Sequence, residues 1–333
     1  MRFYEADYGD AEAIREILSE FIEPPTSEDA GSNDGVLRSQ VKGVIHFGGF
    51  KSVSESIQEP LKYYTNNVAG MIRFCEALQD FNIKTLIFSS SATVYGSLAN
   101  IGVPLKEEYC THQAETFMDH NGQFKTVQGG CSGLTNPYGR TKWMCEAILS
   151  DLAVADPEWT IVALRYFNPV GCDESGILGE DPRGVPTNLM PVVMRVMTGV
   201  SPVLLVFGTD YPTADGTAVR DFIHVTDLAH GHIAALAAAA DGRVPKGFRA
   251  YNLGSGAGAS VLDIVRAVER LSDTKIPMKN VDRREGDVGT CVANSMRARL
   301  ELDWKTEKSL ETCFRDILNF LACRKERSVP VRV

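Results

Sequence analysis

Apolar and polar positions follow two periods along this chain. Residues 43–47 and 84–89 are short apolar runs that lead into small residues, Gly48-Gly49 and Ser89-Ser90-Ser91, and they read as buried parallel strands entering turns. Residues 160–167 form a third such run. Between them the period lengthens. Residues 60–80 place Met71, Phe74, Cys75 and Leu78 on one side of a helix, and a second helix runs from Tyr138 through Trp143, Met144, Ile148 and Leu152. Upstream, residues 2–6 suit a short strand end and residues 11–22 a helix. Residues 23–35 are rich in Pro, Ser, Asp and Gly and read as a loop or insertion. Residues 109–135 are polar and Gly-rich without a period, a long excursion before the Tyr138 helix.

Beyond Asn168 the pattern changes. Residues 168–188 carry many Gly and Pro and read mostly as loop. Helices are expected over 189–198, 228–240 (capped at Thr226-Asp227) and 261–272 (capped by Ser260), with strands over 202–207 and 218–225 and one ending near Tyr251. A polar loop around Arg283-Arg284-Glu285-Gly286-Asp287 and further helices close the chain. Strands alternating with helices predict an α/β fold with a mostly parallel sheet covered on both faces. Two domains are expected: a nucleotide-binding core over 1–167, and a smaller α/β substrate domain over 168–333, some of whose strands return to the main sheet.

Composition narrows the function classes. The 333 residues suffice for a sizeable core, and 44% hydrophobic with 23% charged residues is ordinary for a water-soluble protein. A net charge of −9 argues against non-specific binding to nucleic acid or to an anionic membrane. The eight cysteines form no C-x-x-C or zinc spacing and the six histidines no metal spacing, so reduced thiols in a cytoplasmic protein are expected, with no metal. No apolar run approaches a membrane span, and the first residues lack a signal-peptide core.

The candidate chemistry sits at strand ends, where open α/β sheets bind ligands. Tyr138 and Lys142 lie four apart and share one helix face if the helix begins at Asn136-Pro137. A cation beside a phenol favours phenolate and makes tyrosine usable as a base. Taken alone, that spacing is common and is usually a surface pair. Gly48-Gly49 is equally a close approach to a ligand or a tight turn, and the three serines alone suit hydrogen-bonded turn residues. Their conjunction, a strand ending in serines followed by Tyr-x-x-x-Lys at a helix start and then another strand, is much rarer than any one part.

Those residues carry a resemblance. Phe88-Ser-Ser-Ser-Ala-Thr-Val-Tyr-Gly96, Asn136-Pro-Tyr-Gly139, Arg165-Tyr-Phe-Asn-Pro-Val-Gly171 and Arg220-Asp-Phe-Ile-His-Val225 resemble the UDP-glucose 4-epimerases, a branch of the extended short-chain dehydrogenase/reductases. Gly179-Glu-Asp-Pro-Arg-Gly-Val-Pro-Thr-Asn-Leu-Met-Pro191 and Tyr251-Asn-Leu-Gly-Ser-Gly256 match as well. The resemblance spans nearly the whole chain apart from inserts near 22–40 and 109–133. It implies a Rossmann-like doubly wound parallel sheet, NAD as cofactor and a UDP-sugar as substrate. Tyr138 is the implied base at the sugar 4-hydroxyl, Lys142 lowers its pKa and holds the cofactor ribose, and Ser91 relays the proton. Sugar-nucleotide dehydratases place an acidic pair after the serine position; here Ala92-Thr93 stand there.

The implied NAD contacts are Asp7 and Tyr8 at the adenine, Phe47, Gly48, Gly49, Phe50, Lys51 and Asn66, and Phe167 near the nicotinamide. The implied UDP-sugar contacts are Asn168, Asn188, Leu189, Phe207, Arg220, Arg284 and Asp287. Arg220 and Arg284 suit a diphosphate because guanidinium pairs with phosphate bidentately. Cys291 matches a position gating the sugar 2-substituent, so room for an N-acetyl group is expected. A homodimer is implied through the helices at 60–80 and 137–152. Met71, Phe74 and Trp143 suit either that interface or the protomer's own core. No Gly-x-x-Gly-x-x-Gly precedes Gly48, and the chain opens on what resembles the family's third strand. The expectation is therefore an incomplete gene model or fragment, with poor folding or weak NAD binding. The alternative is a short non-catalytic UDP-sugar-binding or partner protein.

Overall fold

A computed structural model describes residues 1–24, 38–118, 121–180 and 186–327. In chain order the elements are α1 (Ala11–Ser19), β1 (Val44–His46), α2 (Val53–Gln58), α3 (Pro60–Tyr63), a π-helical stretch (Tyr64–Ala69), α4 (Gly70–Asp80), β2 (Thr85–Ser91), β3 (Glu115–Met118), β4 (Phe124–Val127), α5 (Pro137–Ala155) and β5 (Thr160–Tyr166). There follow β6 (Asn168–Val170), α6 (Leu189–Met197), β7 (Leu204–Phe207), β8 (Val219–His224), α7 (Val225–Ala240), β9 (Gly247–Leu253), β10 (Gly258–Ser260), α8 (Val261–Ser272), β11 (Met278–Val281), β12 (Thr290–Cys291), α9 (Met296–Glu301) and α10 (Leu310–Arg327). The chain divides into two compact units: residues 1–94, 110–165 and 235–251, and residues 95–109, 166–234 and 252–333. Among the described residues no helix is long and apolar enough to cross a membrane.

The first unit is an α/β layer structure around a sheet of order β1-β2-β5-β9. β1 and β2 pair in parallel, with Ile45 opposite Ile87. Six of the seven β2 residues and six of the seven β5 residues are buried, as a strand covered on both faces requires. Met71, Phe74 and Leu78 of α4 and Leu149 of α5 pack on Leu86, Phe88 and Ile161 in one core. Met71 and Phe74 therefore face inward, while Ile72 and Met144 of the same two helices are exposed.

Four sequence expectations change here. Residues 2–6 form no strand, because among the described residues no strand offers them a ladder; Arg2 and Tyr4 instead bond the Glu20 carboxylate at 3.1 and 2.7 Å. The first helix stops at Ser19, and Ile22 joins an antiparallel bridge with Ser39. Most of the expected loop at 23–35 lies outside the described residues, as do residues 181–185 of the motif between Gly179 and Pro191. The excursion at 109–135 contains a hairpin, β3 paired antiparallel with β4 from Glu115↔Val127 to Met118↔Phe124. Neither strand buries a face, so no hydrophobic alternation announced it. The opening of the expected 168–188 loop is the strand β6, whose Asn168 stands opposite Phe222 of β8.

The second unit places β8 between β10, antiparallel to it, and β12 and β6, both parallel to it. β7 and β11 form a separate parallel pair. Val193 and Met194 of α6, Ile264 and Val268 of α8 and Phe314 of α10 fill its core with Phe222 and Val206. α8 begins as its sequence predicts: the Ser260 hydroxyl accepts from Asp263 N–H while the Asp263 carboxylate accepts from Ser260 N–H, each at 3.0 Å.

Candidate active site

In the first unit three side chains converge where β2 ends and α5 begins. Local sequence sets that meeting. Asn136 caps α5, its side-chain oxygen accepting from Gly139 N–H at 2.8 Å, and Pro137 occupies the first turn, where a missing N–H costs nothing. Tyr138 N–H donates to the hydroxyl of buried Ser56 at 3.1 Å. A Cβ on Gly139 would stand 2.8 Å from the Thr93 carbonyl oxygen, so only glycine lets α5 approach the turn that follows Ser91.

Tyr138 is 8% exposed and Lys142 5%. Burial pushes the Tyr138 phenol up, and a hydrogen bond with Ser91 opposes it. The Ser91 oxygen accepts from Thr93 N–H at 3.2 Å and from the Thr93 hydroxyl at 3.0 Å, which leaves its own hydrogen for the phenol oxygen. The Lys142 ammonium donates to the Ser89 carbonyl at 2.6 Å and lies 4.8 Å from the centre of the Phe88 ring. Burial lowers it to about 8. Ser89 is the one acceptor for Lys142 among the described residues, which leaves a buried cation with unused N–H donors.

Beside it, Gly49 takes φ +128°, and a Cβ there would meet the Asn67 amide oxygen at 3.2 Å and the Lys142 nitrogen at 3.6 Å. A cleft of about 780 Å³ is lined by Asp7, Asp10, Phe50, Asn66, Arg73 and neighbouring residues. Phe47 is 65% exposed and Lys51 is exposed next to this segment. Tyr8, expected at an adenine, is packed edge-on against His46 and Phe74, and its hydroxyl donates to the Asn66 carbonyl at 2.6 Å.

The second unit gathers the other expected residues. Arg284 pairs with Asp287 at 3.0 Å and stacks 4.7 Å over the Phe207 ring at the end of β7. Arg220 on β8 stands opposite Cys291 on β12 and donates to the Val219 carbonyl at 2.9 Å. Next to it in sequence, Asp221 is fully buried. That buried carboxylate accepts from the N–H groups of Ser255, Gly256 and Ala293 at 2.8–3.1 Å. Asn188 opens α6 without a side-chain capping bond, and Leu189 follows it. Phe167 is buried and Asn168 exposed. Among the described residues no group of three or more His, Cys, Asp or Glu is placed to hold a metal ion.

The family model described as "NAD dependent epimerase/dehydratase family" matches residues 5–254. This chain belongs to that family. It is 43% identical over 311 residues to a UDP-glucose 4-epimerase of Bacillus subtilis, covering 93% of this chain and 79% of that one. To the human UDP-glucose 4-epimerase it is 48% identical over 274 residues, covering 82% and 72%. Among solved structures, the UDP-glucose 4-epimerase of Bifidobacterium longum in complex with NAD+ and UDP superposes with a TM-score of 0.79 at 39% identity, covering 97% of this chain and 83% of that one.

Two sets of residues that sequence reading missed support this epimerase-family site. Asn67 clamps the backbone of Phe50, accepting from its N–H at 2.8 Å and donating to its carbonyl at 3.0 Å, and donates as well to Thr141 of α5 at 3.0 Å. It lies in the π-helical stretch, a rare geometry often found at functional sites and not marked by hydrophobic period. Behind Lys142, the Glu146 carboxylate is buried and takes Arg165 on both oxygens, at 3.0 and 2.7 Å, His112 at 2.8 Å and the Ser90 hydroxyl. Arg165, with its guanidinium and His112, holds that carboxyl at about 2 against its burial. The charged Arg165 in an otherwise apolar strand was the visible signal.

Proposed function

We propose that this protein is a UDP-glucose 4-epimerase, inverting C4 of UDP-glucose and UDP-galactose with NAD as its cofactor. The observation that carries this reading is the assembly of Ser91, Tyr138 and Lys142 at the ends of β2 and α5 in a chain of this family. Bound NAD would accept the C4 hydrogen with its electron pair and return it to the opposite face, so no net oxidation results. The residues present suit such a group: the spare Lys142 donors fit ribose hydroxyls, and Gly49 keeps the backbone open to close approach. Phe50 and Asn66 line the same cleft as Asp7.

Tyr138, as phenolate, takes the proton from the 4-hydroxyl, and Ser91 stabilises that phenolate by donating to it. In the second unit Arg220 and Arg284 take the diphosphate, and the unengaged Asn188 side chain offers both donor and acceptor. Ala92-Thr93 supply no carboxylate for dehydration. The non-catalytic reading is not favoured, because the relatives of this chain at 43% and 48% identity are UDP-glucose 4-epimerases.

Finer points rest on this reading. Cys291 is small and leaves room for an N-acetyl group, so UDP-GlcNAc and UDP-GalNAc are further substrates. The protein acts in galactose metabolism in the cytoplasm, as a homodimer formed through the exposed Ile72 and Met144 sides of α4 and α5. The decisive experiment supplies the purified chain with NAD and UDP-galactose and follows UDP-glucose. A folded chain that forms none, and releases no NAD on acid denaturation, overturns the proposal. UDP-GlcNAc in the same assay decides the breadth.

A further inference from the structure

The hairpin between β2 and α5 is closed at its base by an antiparallel bridge of Thr111 with Gly130, whose N–H donates to the Thr111 carbonyl at 2.6 Å. The Thr111 hydroxyl adds a bond to the Gln128 carbonyl at 3.4 Å. The positions next outward from such a hydrogen-bonded pair face each other as a non-hydrogen-bonded pair, with Cα atoms about 4.5 Å apart and side chains on one face. Those positions are Cys110 and Cys131. That spacing falls at the short end of the roughly 4.4–6.8 Å a disulfide spans. Each of these two thiols shifts the titration of the other, in keeping with that placement.

The pair is asymmetric. Cys110 is buried; its thiol points at the Val94 carbonyl at 3.6 Å, and its own carbonyl accepts from Arg165 at 2.7 Å. Cys131 is half-buried, within reach of a reagent in solution. The neighbouring Cys110 lowers the Cys131 thiol, while the Cys131 neighbour and burial push Cys110 up. Cys131 is thus the thiolate that attacks first. Cys75 and Cys145 differ: both are buried in the apolar core and pushed up to about 12, so neither offers a thiolate.

We propose that Cys110 and Cys131 form a reversible disulfide that locks the base of the 111–130 hairpin. The Cys131 thiolate attacks one sulfur of a low-molecular-weight disulfide such as oxidised glutathione and expels one thiolate. Cys110 then loses its proton, attacks the Cys131 sulfur of the mixed disulfide and expels the second. Two protein thiols lose two electrons and two protons, and the small disulfide is reduced to two thiols. A dithiol reductant reverses the sequence.

The test incubates the folded full chain with oxidised glutathione, alkylates free thiols before unfolding, and maps peptides by mass spectrometry. The expected result is a peptide pair linking Cys110 to Cys131 and the loss of alkylation at both, restored by dithiothreitol. Cys131→Ser, at the half-buried member, is expected to keep the fold by circular dichroism and to lose the link. Cys131 alkylated at every glutathione ratio, Cys131 carrying glutathione without ever joining Cys110, or Cys131 joined to another cysteine would each overturn the proposal.

Discussion

At the scale of single residues, what distinguishes Tyr138 is a buried phenol whose raised titration the Ser91 hydroxyl opposes. Thr93 fills the acceptor side of Ser91, which leaves the serine hydrogen free to stabilise the phenol's anion against the cost of burial. Tyr138→Phe removes the base and is expected to lower kcat by about 10³ while the fold is kept, since general base catalysis contributes roughly 10²–10⁴. Ser91→Ala keeps the base and should cost less, about tenfold to a hundredfold; UDP-galactose turnover under saturating substrate compares the two. Glu146 poses a separate residue-scale question. Glu146→Ala leaves Arg165 buried without its carboxylate, and urea denaturation should show a loss of about 3–5 kcal/mol.

Elements bring these residues into register through close backbone approaches. α5 can reach the end of β2 because Gly139 presents no Cβ to the Thr93 carbonyl. Gly139→Ala forces a 2.8 Å contact with backbone that has to be relieved by a shift of the helix start. We expect it to cost about 1–3 kcal/mol in urea denaturation and to lower kcat more than it raises KM, because the helix carries Tyr138 and Lys142. The π-helical stretch acts similarly on the other side, turning Asn67 toward both Phe50 and Thr141. Sequence periodicity showed this segment as one helix over 60–80, because side-chain pattern reports which face is buried and not which hydrogen-bond ladder the backbone adopts.

For the molecule as a whole, buried titratable groups of the first unit set the acid side of its stability. His46 is buried with neither ring nitrogen bonded among the described residues, and burial lowers it to about 4. Its folded pKa lies below the ordinary 6.5, so its contribution is complete above that value and is lost as pH falls from 6.5 through 4. Glu146, held at about 2, contributes fully above 4.5, and that stability is lost as pH falls from there through 2. Urea midpoints should therefore drop steadily below pH 6.5. His46→Asn is expected to flatten the upper part of that fall, and an unchanged profile would show that His46 does not titrate on unfolding.

The sequence by itself determined the α/β class, the strands at 44–46, 85–91 and 160–166, and the helix that starts at Pro137, because hydrophobic period and capping chemistry are local. It also placed Ser91, Tyr138 and Lys142 at strand and helix ends. Only the tertiary structure decided that the Tyr138 phenol is buried near Ser91, that Tyr8 packs edge-on against His46 and Phe74, and that Met71 and Phe74 face inward. It alone paired Glu146 with Arg165 and bridged Thr111 to Gly130, the neighbours of Cys110 and Cys131, across an otherwise polar excursion. Those facts depend on residues far apart in the chain meeting through backbone geometry, which no local pattern encodes.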